Sequence, residues 1–161
     1  MNETGQGDNT GRALRDAFGR FATGITLITT TTAEGPLGFV ANSFSSVSLD
    51  PPLVLWSPAR ASGRFAAFAE AKHFAIHVLG ADQAALSSRF SRGALGFAGL
   101  EHGLTEEGLP TLPALARFDC TAHAVHDGGD HAIIVGRVVR FVIGEGAPLV
   151  FFGGSYGGFA N

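Results

Sequence analysis

From Arg12 the apolar residues Leu14, Ala17, Phe18, Phe21 and Ala22 recur at steps of three and four, with Arg15, Asp16 and Arg20 between them. That spacing predicts an amphipathic helix, ended at Gly24. Residues 1–11 are polar, glycine-bearing and aperiodic, which predicts a disordered tail ahead of one folded domain over 12–161. After the helix the pattern changes to β. ITLITTTT is dense in β-branched residues, EGP at Glu34 to Pro36 reads as a turn, and a second strand starts near Leu37 to complete a hairpin. FVANSFSSVSLDPP, Phe39 to Pro52, continues as a strand or a pair of strands, punctuated by Asp50-Pro51-Pro52 before LVLW. Two short helices follow, one capped by Ser62 and one by Asp82, with KHFAIHVL between them as a strand. Beyond a Gly- and Pro-bearing loop from Ser91 to Pro113, the stretches Leu115 to His126 and His131 to Ile143 pair across DGGD, and PLVFF forms a last strand. Many short dispersed strands and few helices predict a mainly β, antiparallel, closed or nearly closed barrel with helices on its flanks.

Composition narrows the classes of function. A chain of 161 residues suits one domain. Its net charge of -3 and eleven scattered basic residues lack the electrostatic footprint of a nucleic-acid binder. No apolar run approaches the roughly 18 residues of a membrane helix, and MNETGQGDNTG lacks the order of a signal peptide. With Cys120 as the single cysteine, there is no internal disulfide, and a reducing cytoplasm is the expected setting. Fourteen phenylalanines point weakly to a buried interface between subunits.

Five features carry possible chemistry, each beside an ordinary structural reading. GGSYG, Gly153 to Gly157, matches the G-x-S-x-G nucleophile elbow, but that elbow needs a strand-to-helix turn and a later histidine. No His follows it. His73 and His77 have a spacing suited to a metal only on a helix; on a strand they stand roughly 13 Å apart at about 3.3 Å per residue, so structural roles are expected. His123 and His126, three residues apart, fall on opposite faces of a strand, whereas a four-residue DGGD turn sets His126 opposite His131. A metal there lacks a third ligand, and no metal site is expected. Cys120, in an alternating apolar strand, reads as a core residue. SPARASGR, Ser57 to Arg64, places hydroxyls and guanidinium groups where a helix begins, which suits an anion such as phosphate or an ordinary cap with solvated arginines. Asn42, Ser43, Ser45 and Ser46 are costly to bury without acceptors; a flat heteroaromatic ligand satisfies them, as do neighbouring turns.

The order of FxxxATGITLITT from Phe18, GFVANSFSSVSLDPPLVL from Gly38, a serine at Ser62, FAIHVL with Gln83 after it, GGDHAIIVGRV from Gly128 and PLVFFGGSY from Pro148 resembles the short-chain flavin reductases. These supply reduced flavin to two-component monooxygenases. The resemblance spans about residues 12–157. It implies an antiparallel split β-barrel of Greek-key type, commonly a homodimer, that binds FMN or FAD and oxidises NADH or NADPH. It puts the flavin ring along Ala41, Asn42, Ser43 and Ser45, and the phosphate near Ser57, Arg60 and Ser62. Gly129, Asp130 and His131 fall beside the nicotinamide, with His131 as its contact and Tyr156 near the same mouth. Trp56 and Pro58 match no family role; Arg89 and Arg92 suit either a 2′-phosphate or a solvated helix end. Two alternatives stay open: an FMN-dependent oxidoreductase that keeps its flavin and acts on an organic substrate, and a non-catalytic flavin carrier. The Gly-Asp-His turn speaks against the carrier.

Overall fold

A computed structural model describes residues 11–91 and 95–159. The expected disordered tail lies outside these residues apart from Gly11, which opens helix α1 (Gly11–Phe18). That helix is shorter than the periodicity predicted. It ends where Gly19 N–H donates to Arg15 O, and Thr23–Gly24 (β1) pairs instead with Val150–Phe152 (β11), which itself pairs with Ser155–Gly157 (β12). Long-range pairing takes residues that local periodicity had assigned to the helix.

The main sheet has seven strands, all antiparallel, in the order β3-β2-β6-β9-β10-β5-β4. They are β2 (Thr26–Thr32), β3 (Gly35–Ala41), β4 (Ser45–Leu49), β5 (Pro52–Trp56), β6 (His73–Val78), β9 (Ala116–Gly128) and β10 (His131–Ile143). Gly35, at φ +121, opens β3 on a backbone conformation that costs glycine least. Within the predicted loop Ser91 to Pro113, the pieces β7 (Gly103–Leu104) and β8 (Pro110–Thr111) form a small ribbon.

Why this sheet curls is visible in its core. Ile28, Ala41, Val54, Trp56, Phe74, Ile76, Cys120 and Ile134 come from six different strands, yet form one buried cluster. Helix α2 (Phe65–Ala69) closes it with Phe68, whose ring meets Phe39 and Trp56 edge-on at 5.7 and 5.4 Å. The edge strands β3 and β4 are joined through Asn42 to Phe44 without a ladder between them, so the barrel is split there. On the outer side, Leu27, Leu79, Leu112 and Leu149 are covered by Phe90 of α3 (Ala84–Ser91). His77 points to that side. Its ring bridges Leu27 O at 3.0 Å and Leu112 N–H at 3.3 Å. It is a satisfied core histidine, as expected, and burial pushes its pKa down to about 4. Cys120 is likewise buried, with its thiol pushed up to about 12 by desolvation and then by Asp119. No helix of the described residues is long and apolar enough to cross a membrane.

Candidate functional site

The site is assembled by loops at one end of the split. Ser43, just after β3, receives the N–H of Ser57 at 2.9 Å and lies 3.3 Å from Ser57 O, tying the end of β3 to the chain leaving β5. The next residues continue as a rudimentary strand against the β9–β10 hairpin. Ala59 faces His131 in an isolated antiparallel bridge, Arg60 N–H donates to Asp130 O at 2.9 Å, and Ala132 N–H donates to Pro58 O at 3.1 Å. Arg60 adds its side chain. Nε donates to Gly129 O at 3.1 Å, Nη2 pairs with Asp127 at 2.8 Å, and the guanidinium lies 5.5 Å from the Phe65 ring. Arg60, Gly129, Asp130 and His131 are therefore joined through direct bonds, and Ser43 and Ser57, bonded to each other, connect to them along the chain through Pro58 and Ala59.

The hairpin turn is tighter than predicted. Gly128 pairs with His131, leaving Gly129 and Asp130 at the tip, with Gly129 at φ +74. His126 consequently opposes Ile133 rather than His131, which removes the paired-imidazole arrangement. His123 is an extra residue in a β-bulge, so strict alternation does not relate it to His126. Among the described residues, no group of three His, Cys, Asp or Glu could hold a metal ion.

His131 Nδ1 lies 2.7 Å from Asp130 Oδ1. Asp130 is held below its ordinary range first by this hydrogen bond and then by the charge of the imidazole, so it stays ionised and accepts the Nδ1–H hydrogen bond. In neutral His131 this fixes Nδ1 as donor and leaves Nε2 as an acceptor. The His131 side chain is 45% exposed, open to a ligand.

Other expectations are corrected by packing. Asn42, Ser45 and Ser46 are exposed, so the burial cost expected of them does not arise; the Ser45 hydroxyl donates to Ser46 O. Ala41 has its methyl in the core, and its carbonyl accepts the Thr26 hydroxyl. Ser62 does not cap a helix, because α2 starts at Phe65 after Arg64; its oxygen accepts Arg64 N–H at 3.2 Å. Asp82 is no cap either, since Gln83 supplies the oxygen to Gly80 N–H ahead of α3. Arg64 turns its Nη1 inward, donating to Gly38 O and Phe90 O, stacks 5.0 Å from Phe39, and burial lowers its pKa. Arg89 is spent on Gly96 O and Ala98 O, while Arg92 lies outside the described residues. Trp56 is a core residue whose indole N–H has no hydrogen-bond partner among the described residues. Tyr156 sits on β12, with its hydroxyl 2.8 Å from buried Ser87, and no bond joins it to the Gly-Asp-His turn. GGSYG is a hairpin turn between β11 and β12 rather than a nucleophile elbow, with Gly153 and Gly154 at positive φ.

Asp127, which anchors Arg60 from beside the site, is the residue that sequence reasoning missed. Its role depends on a register that brings Arg60, 67 positions away, to its carboxylate.

The donor set suits a flavin nucleotide. The Ser43 hydroxyl meets the chain that leads through Ser57 to Arg60 and Ser62, Asn42 and Ser45 on either side of Ser43 are exposed, and Arg60 Nη1 has no partner among the described residues.

Residues 18–160 match the family model described as flavin reductase like domain. The chain is 55% identical over 156 residues to the FMN reductase (NADH) SmoA of Agrobacterium fabrum, covering 96% of this chain and 90% of that protein. It is 47% identical to the reductase component of the flavin-dependent trigonelline monooxygenase of Acinetobacter baylyi, covering 90% of this chain but 48% of the relative. Among solved structures, the NADH:FAD oxidoreductase of Streptomyces globisporus C-1027, in complex with NAD and FAD fragments, superposes with a TM-score of 0.88 at 34% identity, over 98% of both chains. From its strand order, its Gly-Asp-His turn and a family match over nearly its whole length, this chain belongs to the flavin reductase family.

Proposed function

We propose that this protein transfers hydride from NADH to a flavin, FMN in the first instance, and releases the reduced flavin to a partner monooxygenase. The observation that carries the reading is the direct bonding of the Ser57–Arg60 loop to the Gly-Asp-His turn, beside the exposed His131 imidazole, which supports reading that loop as the phosphate cradle. Support comes from the relatives named above, two of which are an NADH-dependent FMN reductase and a monooxygenase reductase component.

In this reading the flavin accepts hydride when bound, and the chain supplies positioning and electrostatics. Asn42, Ser43, Ser45 and the backbone at Ala41 border the ring; Ser57, Arg60 and Ser62 hold the phosphate. Asp130 fixes the His131 tautomer so that Nε2 takes a hydrogen bond from the nicotinamide side, with Gly129 leaving room for the ring and Tyr156 at the outer margin. No side chain is required as a general acid. The exposure of Asn42, Ser45, Arg60 and Asp130 fits a flavin that comes and goes as a substrate.

The folded unit in this proposal is 12–161, assembled as a homodimer. Val139, Phe141 and Ile143 on β10 are 54%, 62% and 77% exposed, an apolar stripe of the kind subunit interfaces cover. A cytoplasmic setting fits the single buried cysteine and the need for NADH. The test is anaerobic mixing of purified protein, NADH and FMN. Flavin absorbance is expected to bleach at a rate proportional to enzyme; no bleaching above the rate without enzyme overturns the proposal.

A further inference from the structure

We infer that Arg60, besides its contact with the phosphate, is anchored by Asp127 so that it couples the flavin-phosphate loop to the nicotinamide turn, and filling one subsite strengthens binding at the other. This rests on the functional reading above and goes beyond it.

The geometry is specific. Arg60 grips the turn from both sides of Gly128, through Asp127 Oδ1 at 2.8 Å and Gly129 O at 3.1 Å, while its own N–H holds Asp130 O. Gly129, at φ +74, takes a left-handed conformation that glycine adopts without strain, and the turn closed by the Gly128–His131 pair is held from outside by these bonds. His131 is bonded within the same turn to Asp130. Displacing Arg60 therefore displaces the carbonyls that shape the turn and, through Asp130, the imidazole. A dinucleotide that orders the turn also orders Arg60, and a flavin arriving second meets a loop whose freedom has already been spent. Reciprocity requires the same factor in the other order of binding.

Side-chain exposure at the pair is 43% for Arg60 and 85% for Asp127. An ion pair this exposed adds little to global stability, so its loss can be read as coupling without unfolding the protein. An exposed pair of ordinary strength corresponds to a coupling of about two- to fivefold. It should fade as salt screens the pair.

The experiment titrates FMN against the full chain by quenching of its single tryptophan, Trp56, with and without saturating NAD+. In the unsubstituted protein NAD+ is expected to tighten FMN binding about two- to fivefold. In Asp127→Asn that ratio should fall to near one, with the KM for NADH raised by a similar factor, kcat kept, and Tm lowered by no more than about 4 °C. Arg60→Lys, which keeps the charge facing Asp127 but lacks the fork that also reaches Gly129 O, should retain only part of the ratio. A protein that oxidises NADH with flavin but shows no ratio, or the same ratio in Asp127→Asn, overturns the coupling alone. One that binds flavin and NAD+ without oxidising NADH overturns the functional reading, and the ratio still decides the coupling; one that binds neither overturns both.

Discussion

His77 makes stability depend on pH in a way that can be worked from its surroundings. Its ring is fully buried between β6, Leu27 and Leu112, with Nδ1–H donating to Leu27 O and Nε2 accepting from Leu112 N–H. A second proton would put an N–H against the Leu112 N–H in an apolar setting. Desolvation is the largest cause that brings the pKa from 6.5 to about 4, opposed by the Leu27 bond, with Arg117 lowering it and Asp119 raising it. Because the folded value is depressed, the contribution is fully present above pH 6.5, where both states are neutral. Below that the unfolded chain binds a proton that the folded protein refuses. Stability is then lost at about 1.4 kcal/mol per pH unit as the pH falls toward 4, about 3 kcal/mol in all. Urea denaturation of the unsubstituted protein and of His77→Gln, at steps from pH 8 to 4.5, measures this. The variant should be less stable at pH 8 by about 1–3 kcal/mol, from its disturbed hydrogen bonds, and its stability should fall less steeply below pH 6.5. Parallel curves for the two proteins would refute the assignment of a neutral, buried His77.

Three further outcomes follow from packing and from the site. Cys120, buried and with its thiol pushed up to about 12, should resist a thiol-specific reagent in the native protein and react fully once denatured; fast native labelling would contradict its burial. Gly136→Ala places a Cβ 2.6 Å from Phe74 Cζ and 3.1 Å from Cys120 Cβ, and should cost about 1–3 kcal/mol by chemical denaturation; an unchanged midpoint would mean the barrel core gives way there. His131→Ala should weaken NADH binding or turnover by about 1–3 kcal/mol and leave FMN affinity nearly intact; an unchanged NADH dependence would remove His131 from the site.

The strands were legible because β-branched and alternating apolar residues carry their own signal: ITLITTTT, KHFAIHVL and the two arms around DGGD all form strands of the main sheet. Gly-Asp-His and NSFSSVSLDPP marked the family, now supported by the match over 18–160. What the chain did not disclose depends on register. Moving the β9–β10 turn to Gly129 and Asp130 sends His126 opposite Ile133, and the bulge at His123 breaks the parity on which its facing was predicted. Arginine roles were equally hidden. Arg60, Arg64 and Arg89 look alike in sequence, yet the fold gives the first a carboxylate at the site and spends the other two on backbone carbonyls. The cost of burying Asn42 and Ser45 does not arise because Asn42 lies in the open connection between β3 and β4, and Ser45 on the edge strand β4, a placement that hydropathy cannot reveal.

The most direct test of the account is NADH consumption by the purified protein under air, as free FMN is increased. The account predicts turnover that rises and saturates with added FMN, because flavin is a substrate that enters and leaves an open site. A protein that retains its flavin through gel filtration and oxidises NADH at a rate indifferent to added flavin, or one that consumes no NADH with any flavin, would contradict it.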